Sequence, residues 1–214
     1  LMTVRLMGAD VHIVDTENHW DLEAHVFRLC DELRAAGRKP YYIPVSGTTP
    51  HSCLGYVKAG LETLAQLEAR NVKLDAVYLP FGTGGIFVGM LYAMRAKGVD
   101  CPFIGISVNR PAGQCRENLE KWWEGIAELL PLESMPDKGA FELYDEFIGL
   151  DYGDPTEACL DAIMKVGQTE GILLDPVYSG KVMAGFLNHW ENGRWASKTK
   201  ANILILHSGG VPAL

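Results

Sequence analysis

Leu74-Asp75-Ala76-Val77-Tyr78-Leu79-Pro80-Phe81-Gly82-Thr83-Gly84-Gly85-Ile86-Phe87-Val88-Gly89-Met90-Leu91-Tyr92-Ala93-Met94 joins an apolar run to a second one through a glycine turn. Ala76 to Leu79 reads as a short buried strand, Phe81 to Gly85 as the turn, and Ile86 to Met94 as a buried helix. The first N–H groups of a helix have no intrahelical partner, and the helix dipole adds positive potential there, so the turn is an anion site suited to phosphate. Glycine keeps side chains from holding a phosphate away from the backbone. A plainer reading stands beside it: glycine turns in α/β proteins also serve as nothing more than tight connections.

Outward from this stretch, strand and helix alternate. Val11 to Val14 is expected as a strand, Asp21 to Ala36 as an amphipathic helix stopped by Gly37, Tyr41 to Val45 as a strand, and His51 to Glu68 as a helix. Beyond the glycine turn come a strand at Phe103 to Ser107, a helix at Ala112 to Leu130 and an aperiodic linker at Pro131 to Gly139. They are followed by a helix at Thr156 to Thr169, a strand at Gly171 to Asp175, a helix at Ser179 to Glu191 and a strand at Asn202 to His207. Such alternation predicts an α/β fold, a mostly parallel sheet covered by helices on both faces. Ligands sit at the carboxyl ends of the strands in such a sheet. Four loops fall there: Ser46 to Pro50, Gly82 to Gly85, Asp175 to Gly180 and His207 to Gly210. Each carries glycine or hydroxyl residues, which argues for a small phosphorylated ligand.

The 214 residues are 48% hydrophobic and 21% charged, enough for a substantial core. A net charge of -8 argues against nucleic acid or an anionic membrane surface as the main partner. With no bilayer-length apolar stretch and no secretory leader in view, a cytoplasmic protein is expected. The five cysteines are scattered, with no C-x-x-C pair, and read as reduced thiols; the histidines show no metal-ligand spacing, so no metal is expected. Leu1 to Gly8 looks like the tail of a helix and the far end is equally abrupt, so both ends look cut.

Asp175-Pro176-Val177-Tyr178-Ser179-Gly180-Lys181, preceded by Thr169-Glu170-Gly171, resembles the TEG-x-x-x-DPVY-x-GK block of one pyridoxal-phosphate family. His207-Ser208-Gly209-Gly210-Val211-Pro212-Ala213-Leu214 resembles its closing H-x-GG-x-PAL. Leu6-Met7-Gly8-Ala9-Asp10-Val11, Tyr42-Ile43-Pro44 and Leu54-Gly55-Tyr56-Val57 match as well. The family is the D-cysteine desulfhydrase and 1-aminocyclopropane-1-carboxylate deaminase group. The resemblance runs the whole chain and implies a tryptophan-synthase-β-like fold (fold type II), here N-terminally truncated. Residues 1–50 would be the remainder of the small lobe and 51–214 the large cofactor-binding lobe.

The resemblance implies pyridoxal 5'-phosphate as cofactor and a small amino acid as substrate. Gly82, Thr83, Gly84 and Gly85 match the phosphate loop, with Ile86 where many members carry threonine. Tyr178 matches the tyrosine stacked on the pyridine ring, a group able to move a proton were its pKa lowered. Tyr152 matches a second active-site tyrosine, and Ser208 would add a hydroxyl nearby. Ser179 matches the residue facing the ring nitrogen, where a carboxylate marks the cyclopropane deaminases. A hydroxyl there leaves the nitrogen largely unprotonated, which suits β-elimination from a cysteine-like amino acid to pyruvate and ammonia. Read from the residues alone, Ser179 is a helix cap, Tyr178 a buried strand-end tyrosine and Tyr152 a packing residue.

One departure stands out. The family's Schiff-base lysine lies in a GGNK segment, and its substrate carboxylate in an SNQ-type loop; neither occurs here. Lys181 lies within a motif but reads as positional. The chain is therefore expected to be inactive alone, completed by an N-terminal segment or partner chain in a homo- or hetero-oligomer. The alternatives are a non-catalytic homologue that binds an anion or a partner chain, and a 1-aminocyclopropane-1-carboxylate deaminase. Of the remaining features, His51 and the hydroxyls of Ser46, Thr48, Thr49 and Ser52 either line the substrate mouth or belong to a solvated loop. Trp122 and Trp123 are expected as core or interface anchors, and Asn109-Arg110 follows a strand without a clear task.

Overall fold

Chain direction and helix breaks organise the first unit, Leu1–Gly47. The structure, a computed structural model, describes residues 2–15 and 19–209. Helix α1 (Met2–Leu6) ends at Gly8, whose φ of +85° a side chain would strain, and α2 (His19–Ala35) ends at Gly37, at +77°. Tyr42 packs on α2 through its ring edge on Phe27, centroids 5.0 Å apart, and its hydroxyl donates to Glu23 Oε1 at 2.9 Å. The strands expected at Val11 to Val14 and Tyr41 to Val45 do not form. Both segments are β-prone, but a strand exists only where a neighbour accepts its ladder bonds, and no described segment of this unit does so.

The second unit, Thr48–Leu214, holds the sheet. Its elements run α3 (Pro50–Ala69), β1 (Ala76–Phe81), α4 (Gly85–Ala96), β2 (Phe103–Ser107), α5 (Ala112–Leu129), β3 (Phe141–Tyr144), α6 (Glu157–Glu170), α7 (Ser179–Glu191) and β4 (Ile203–Ile205). All pairings are parallel, in the order β3-β2-β1-β4. β1 lies inside the sheet and is buried throughout. Because successive side chains alternate between faces, Val77, Leu79 and Phe81 enter a core shared with α3, α4 and α5. Tyr78 faces the opposite core, with Val182, Phe186 and Trp195. The expected parallel sheet covered on both faces is present.

Two differences concern edges of this sheet. β3 was not anticipated: Phe141-Glu142-Leu143-Tyr144 carries a charge on one face, and Arg194 meets Glu142 there only after folding. The strand expected at Gly171 to Asp175 is absent. Its polar groups are satisfied elsewhere, Leu173 O by His207 Nε2 at 2.7 Å and Asp175 N–H by Ser179 Oγ at 2.8 Å. Among the described residues no helix is long and apolar enough to cross a membrane, and no group of His, Cys, Asp and Glu is arranged to hold a metal. All five cysteines are free and buried.

α3 and α4 are pressed together at glycines. A Cβ built on Gly89 would lie 2.6 Å from both Cys53 O and Tyr56 Cβ, and one on Gly60 would lie 2.8 Å from Ala93 Cβ. Gly89→Ala is therefore expected to destabilise the second unit by about 1–3 kcal/mol, the usual cost of overpacking. A urea midpoint unchanged from the unaltered protein would contradict this.

Candidate functional site

Since all four strands are parallel, the segments leaving their carboxyl ends gather along one edge. These are the glycine turn after β1, Val108 to Arg110 after β2, Asp145 to Asp154 after β3 and His207 to Gly209 after β4. The glycine turn is held from behind. Gly82 O accepts from Arg110 Nη1 at 2.9 Å, and Thr83 O accepts from Trp122 Nε1 at 2.8 Å. In a trans peptide the C=O and N–H point opposite ways. Pinning these two carbonyls therefore turns the N–H groups of Thr83 and Gly84 away from Arg110 and Trp122. The first turn of α4 adds its own N–H groups, for no side chain caps it: its N-cap is Gly84 itself. Thr83 and Thr48 bring their hydroxyl oxygens within 2.5 Å of each other at the turn's flank.

The glycines do different work. Gly84 sits at φ +99°, and a Cβ there would lie 2.7 Å from Phe81 Cζ. Its missing side chain thus makes room for the core beneath the turn, not for an anion above it. Gly82 is the open one: a Cβ there would make ordinary contacts, 3.6 Å from Val108 Cγ2 and 3.7 Å from Tyr178 Cε1. The space over Gly82 is bounded by the Tyr178 ring.

Asp175 fixes that ring's segment. Its buried carboxylate accepts the N–H groups of Val177 (2.8 Å), Tyr178 (2.7 Å) and Ser179 (2.9 Å), and the Ser179 hydroxyl at 2.6 Å. Burial works to raise the Asp175 pKa, but the bonds from Ser179, Tyr178 and Val177 outweigh it and leave it lowered. Ser179 is buried and its hydroxyl proton is committed to Asp175. The capping role expected of it is not realised, for it is the first residue of α7, no side chain caps that helix from its N-cap Tyr178, and the Ser179 N–H goes to Asp175 instead. Tyr178 and Tyr152 meet hydroxyl to hydroxyl, ring centroids 6.1 Å apart. Burial, and then the bond with Tyr152, push the Tyr178 pKa well above the ordinary tyrosine value. The phenol is therefore a proton holder at neutral pH, the reverse of the lowered pKa a base needs.

Other expected residues divide. Thr49 and Ser52 are spent on a reciprocal cap of α3, each side chain taking the other's backbone N–H. His51 is exposed. Ser208 is exposed beyond β4, and among the described residues its hydroxyl meets none of the others. The last part of the closing motif, residues 210–214, lies outside the described residues. Trp123 is core, as expected, whereas Trp122 and Arg110 turn out to hold the glycine turn. The place of Arg110 just after a parallel strand put it near the ligand edge but gave it no task, and its bond to Gly82 O was not foreseen; Trp122 carried no signal apart from its neighbour. Among the lysines, Lys138 pairs with Glu120, Lys181 is buried, and Lys39, Lys58, Lys73, Lys97, Lys121, Lys165, Lys198 and Lys200 are exposed.

These residues fit pyridoxal phosphate in two respects, outward amides at a helix start for the phosphate and a tyrosine wall over an open glycine for the ring. Comparison with known proteins agrees. A D-cysteine desulfhydrase of Yersinia pestis is 34% identical over 209 residues, covering 98% of this chain and 61% of that one. A protein of Pyrococcus abyssi provisionally named 1-aminocyclopropane-1-carboxylate deaminase is 30% identical over 210 residues, 98% of this chain and 62% of its own length. A crystal structure of an ACC deaminase homologue superposes with a TM-score of 0.84 at 30% identity, over 99% of this chain and 62% of that one. The chain spans about three-fifths of the length of the curated relatives it matches. The family model described as pyridoxal-phosphate dependent enzyme matches residues 1–209, and the chain belongs to that family, with its fold type II architecture.

Proposed function

We propose that this chain is the cofactor-holding part of a pyridoxal-phosphate lyase that eliminates the β-substituent of a cysteine-like amino acid, giving pyruvate and ammonia. The observation that carries the reading is the pinned glycine turn facing Tyr178. The cofactor, when bound, supplies the electron sink for the negative charge left at the amino acid's α-carbon. The chain's own residues do the rest of what is assigned here. The amides of Thr83, Gly84 and the first turn of α4 bind phosphate, and the Tyr178 ring excludes water above Gly82. Tyr178, which burial and its bond with Tyr152 keep protonated at neutral pH, serves as donor to a departing group.

The lysine that attaches the cofactor is assigned to a segment or partner chain beyond these 214 residues. Lys181 is buried with its ammonium committed to backbone carbonyls. In the first unit, Met2, Leu6, Met7, Tyr41 and Ile43 are between 68% and 86% exposed, which suits a lobe that further chain covers. One observation keeps the ring-opening deaminase as second reading. With its proton given to Asp175, Ser179 Oγ has a lone pair to offer, and a lone pair suits a protonated ring nitrogen. A companion bearing the GGNK and SNQ segments, mixed with this chain, separates the readings. Pyruvate from cysteine substrates is expected, 2-oxobutyrate from the cyclopropane substrate would favour the second reading, and neither product would overturn both.

Two substitutions test the cofactor seat. Gly82→Ala makes only ordinary contacts, so stability should change by less than about 1 kcal/mol while affinity for pyridoxal phosphate falls, because the methyl group enters the space beside Tyr178. Gly84→Ala should lower the unfolding midpoint first, since it strains φ and strikes Phe81. Undiminished cofactor affinity in Gly82→Ala would remove this turn from the site.

A further inference from the structure

Lys181 is a buried ammonium that the proposed chemistry does not use. It is 0% exposed, and among the described residues no carboxylate lies within ion-pairing distance of its Nζ. Burial lowers its pKa, against the more distant charges of Asp154 and Asp151. A methionine would fill the same space without desolvating a charge. What a hydrocarbon lacks is the set of three donors, and the structure shows where two are directed: to Ile148 O at 2.5 Å and, more loosely, to Val108 O at 3.5 Å.

Both acceptors border the site. Val108 backs the open glycine, its Cγ2 being the nearest atom to a Cβ at Gly82. Ile148 begins the loop that carries Tyr152. Past it the loop folds on itself: Gly149 stands at φ +86° against Asp154 O, Tyr152 N–H donates to Asp151 Oδ1 at 2.6 Å, and Asp154 N–H donates to Asp151 O at 3.2 Å. Leu150, at its tip, is 98% exposed, so the tip has almost no packing to fix its place. Lys181 itself lies in the first turn of α7, three residues after Tyr178.

We propose that Lys181 is the positioning residue of this site: its ammonium ties the Tyr152 loop and the end of β2 to the first turn of the helix that follows Tyr178, so that the two phenols meet beside Gly82. This rests on the Tyr152–Tyr178 pair being part of the site, and its test needs no cofactor, so it fails or stands independently of the lyase reading. Lys181→Met keeps the volume and removes the donors.

The expected result is selective. Amide hydrogen exchange should quicken at Tyr152 and Asp154 by tenfold or more, roughly the loss of one charge-assisted hydrogen bond, while the amides of β1 stay protected. Followed by absorbance, the tyrosinate titration should gain a phenol ionising nearer the ordinary range. Tyr152→Phe should produce the same gain, and Lys181→Met should add nothing on a Tyr152→Phe background. An unchanged titration, an additive effect in the double variant, or exchange quickened equally in β1 would each overturn the proposal, leaving Lys181 a general packing residue. Should Lys181→Met fail to fold, the unaltered protein decides by magnetic resonance. A slowly exchanging lysine ammonium coupled across a hydrogen bond to the Ile148 carbonyl supports the tie, and its absence overturns it.

Discussion

Two hydrogen bonds set the orientation of the glycine turn at the ligand edge: Arg110 to Gly82 O and Trp122 to Thr83 O. Without them the peptides of the turn would be free to rotate, and their N–H groups would have no fixed direction. Each donor comes from a different element, and each element needs the sheet. Arg110 is placed by β2, whose parallel pairing with β1 runs to Phe81 and Ser107, one residue before the turn. Trp122 is placed by α5, whose first N–H groups include that of Ala112, bonded to Asp145 Oδ2 at 2.7 Å at the end of β3. The neighbour order β3-β2-β1 is therefore what assembles the turn.

The anion site proposed at this turn would use little formal charge. The chain is acidic overall, at -8, and the groups facing the ligand space are backbone amides, hydroxyls and a phenol. Oriented amides at a helix start provide positive potential that does not depend on net charge and needs no reorganisation on binding. The close crossing of α3 and α4 at Gly60 and Gly89 supports this, because it keeps α4 aimed at the turn. On the opposite side, Asp175 gathers three amides and a hydroxyl, so the segment bearing Tyr178 is held as rigidly as the turn it faces.

How much of this could be read in the chain follows from what each feature depends on. The strand, turn and helix of Leu74 to Met94 were legible because their pattern is local and their burial is complete. So was the parallel sheet, through alternation of elements. Val11 to Val14, Tyr41 to Val45 and Gly171 to Asp175 have strand composition, but composition does not supply a neighbour. β3 was missed for the converse reason: it gains its neighbour β2 and a counter-charge from Arg194 only in three dimensions. The family motif pointed to Tyr178, Ser179 and Tyr152, yet the direction of the Ser179 proton and the upward pKa of Tyr178 are consequences of burial and partners that a motif does not carry. Gly84 was legible as necessary and misread as to why, since only coordinates reveal Phe81 beneath it.

The amides of this one turn are proposed to take the phosphate. Backbone amide resonances followed while this chain is titrated with pyridoxal phosphate, and separately with inorganic phosphate, test this most directly. Thr83, Gly84, Gly85 and Ile86 are expected to shift together, saturating with a single dissociation constant for each ligand. Shifts that leave these four residues unmoved while others respond would contradict it.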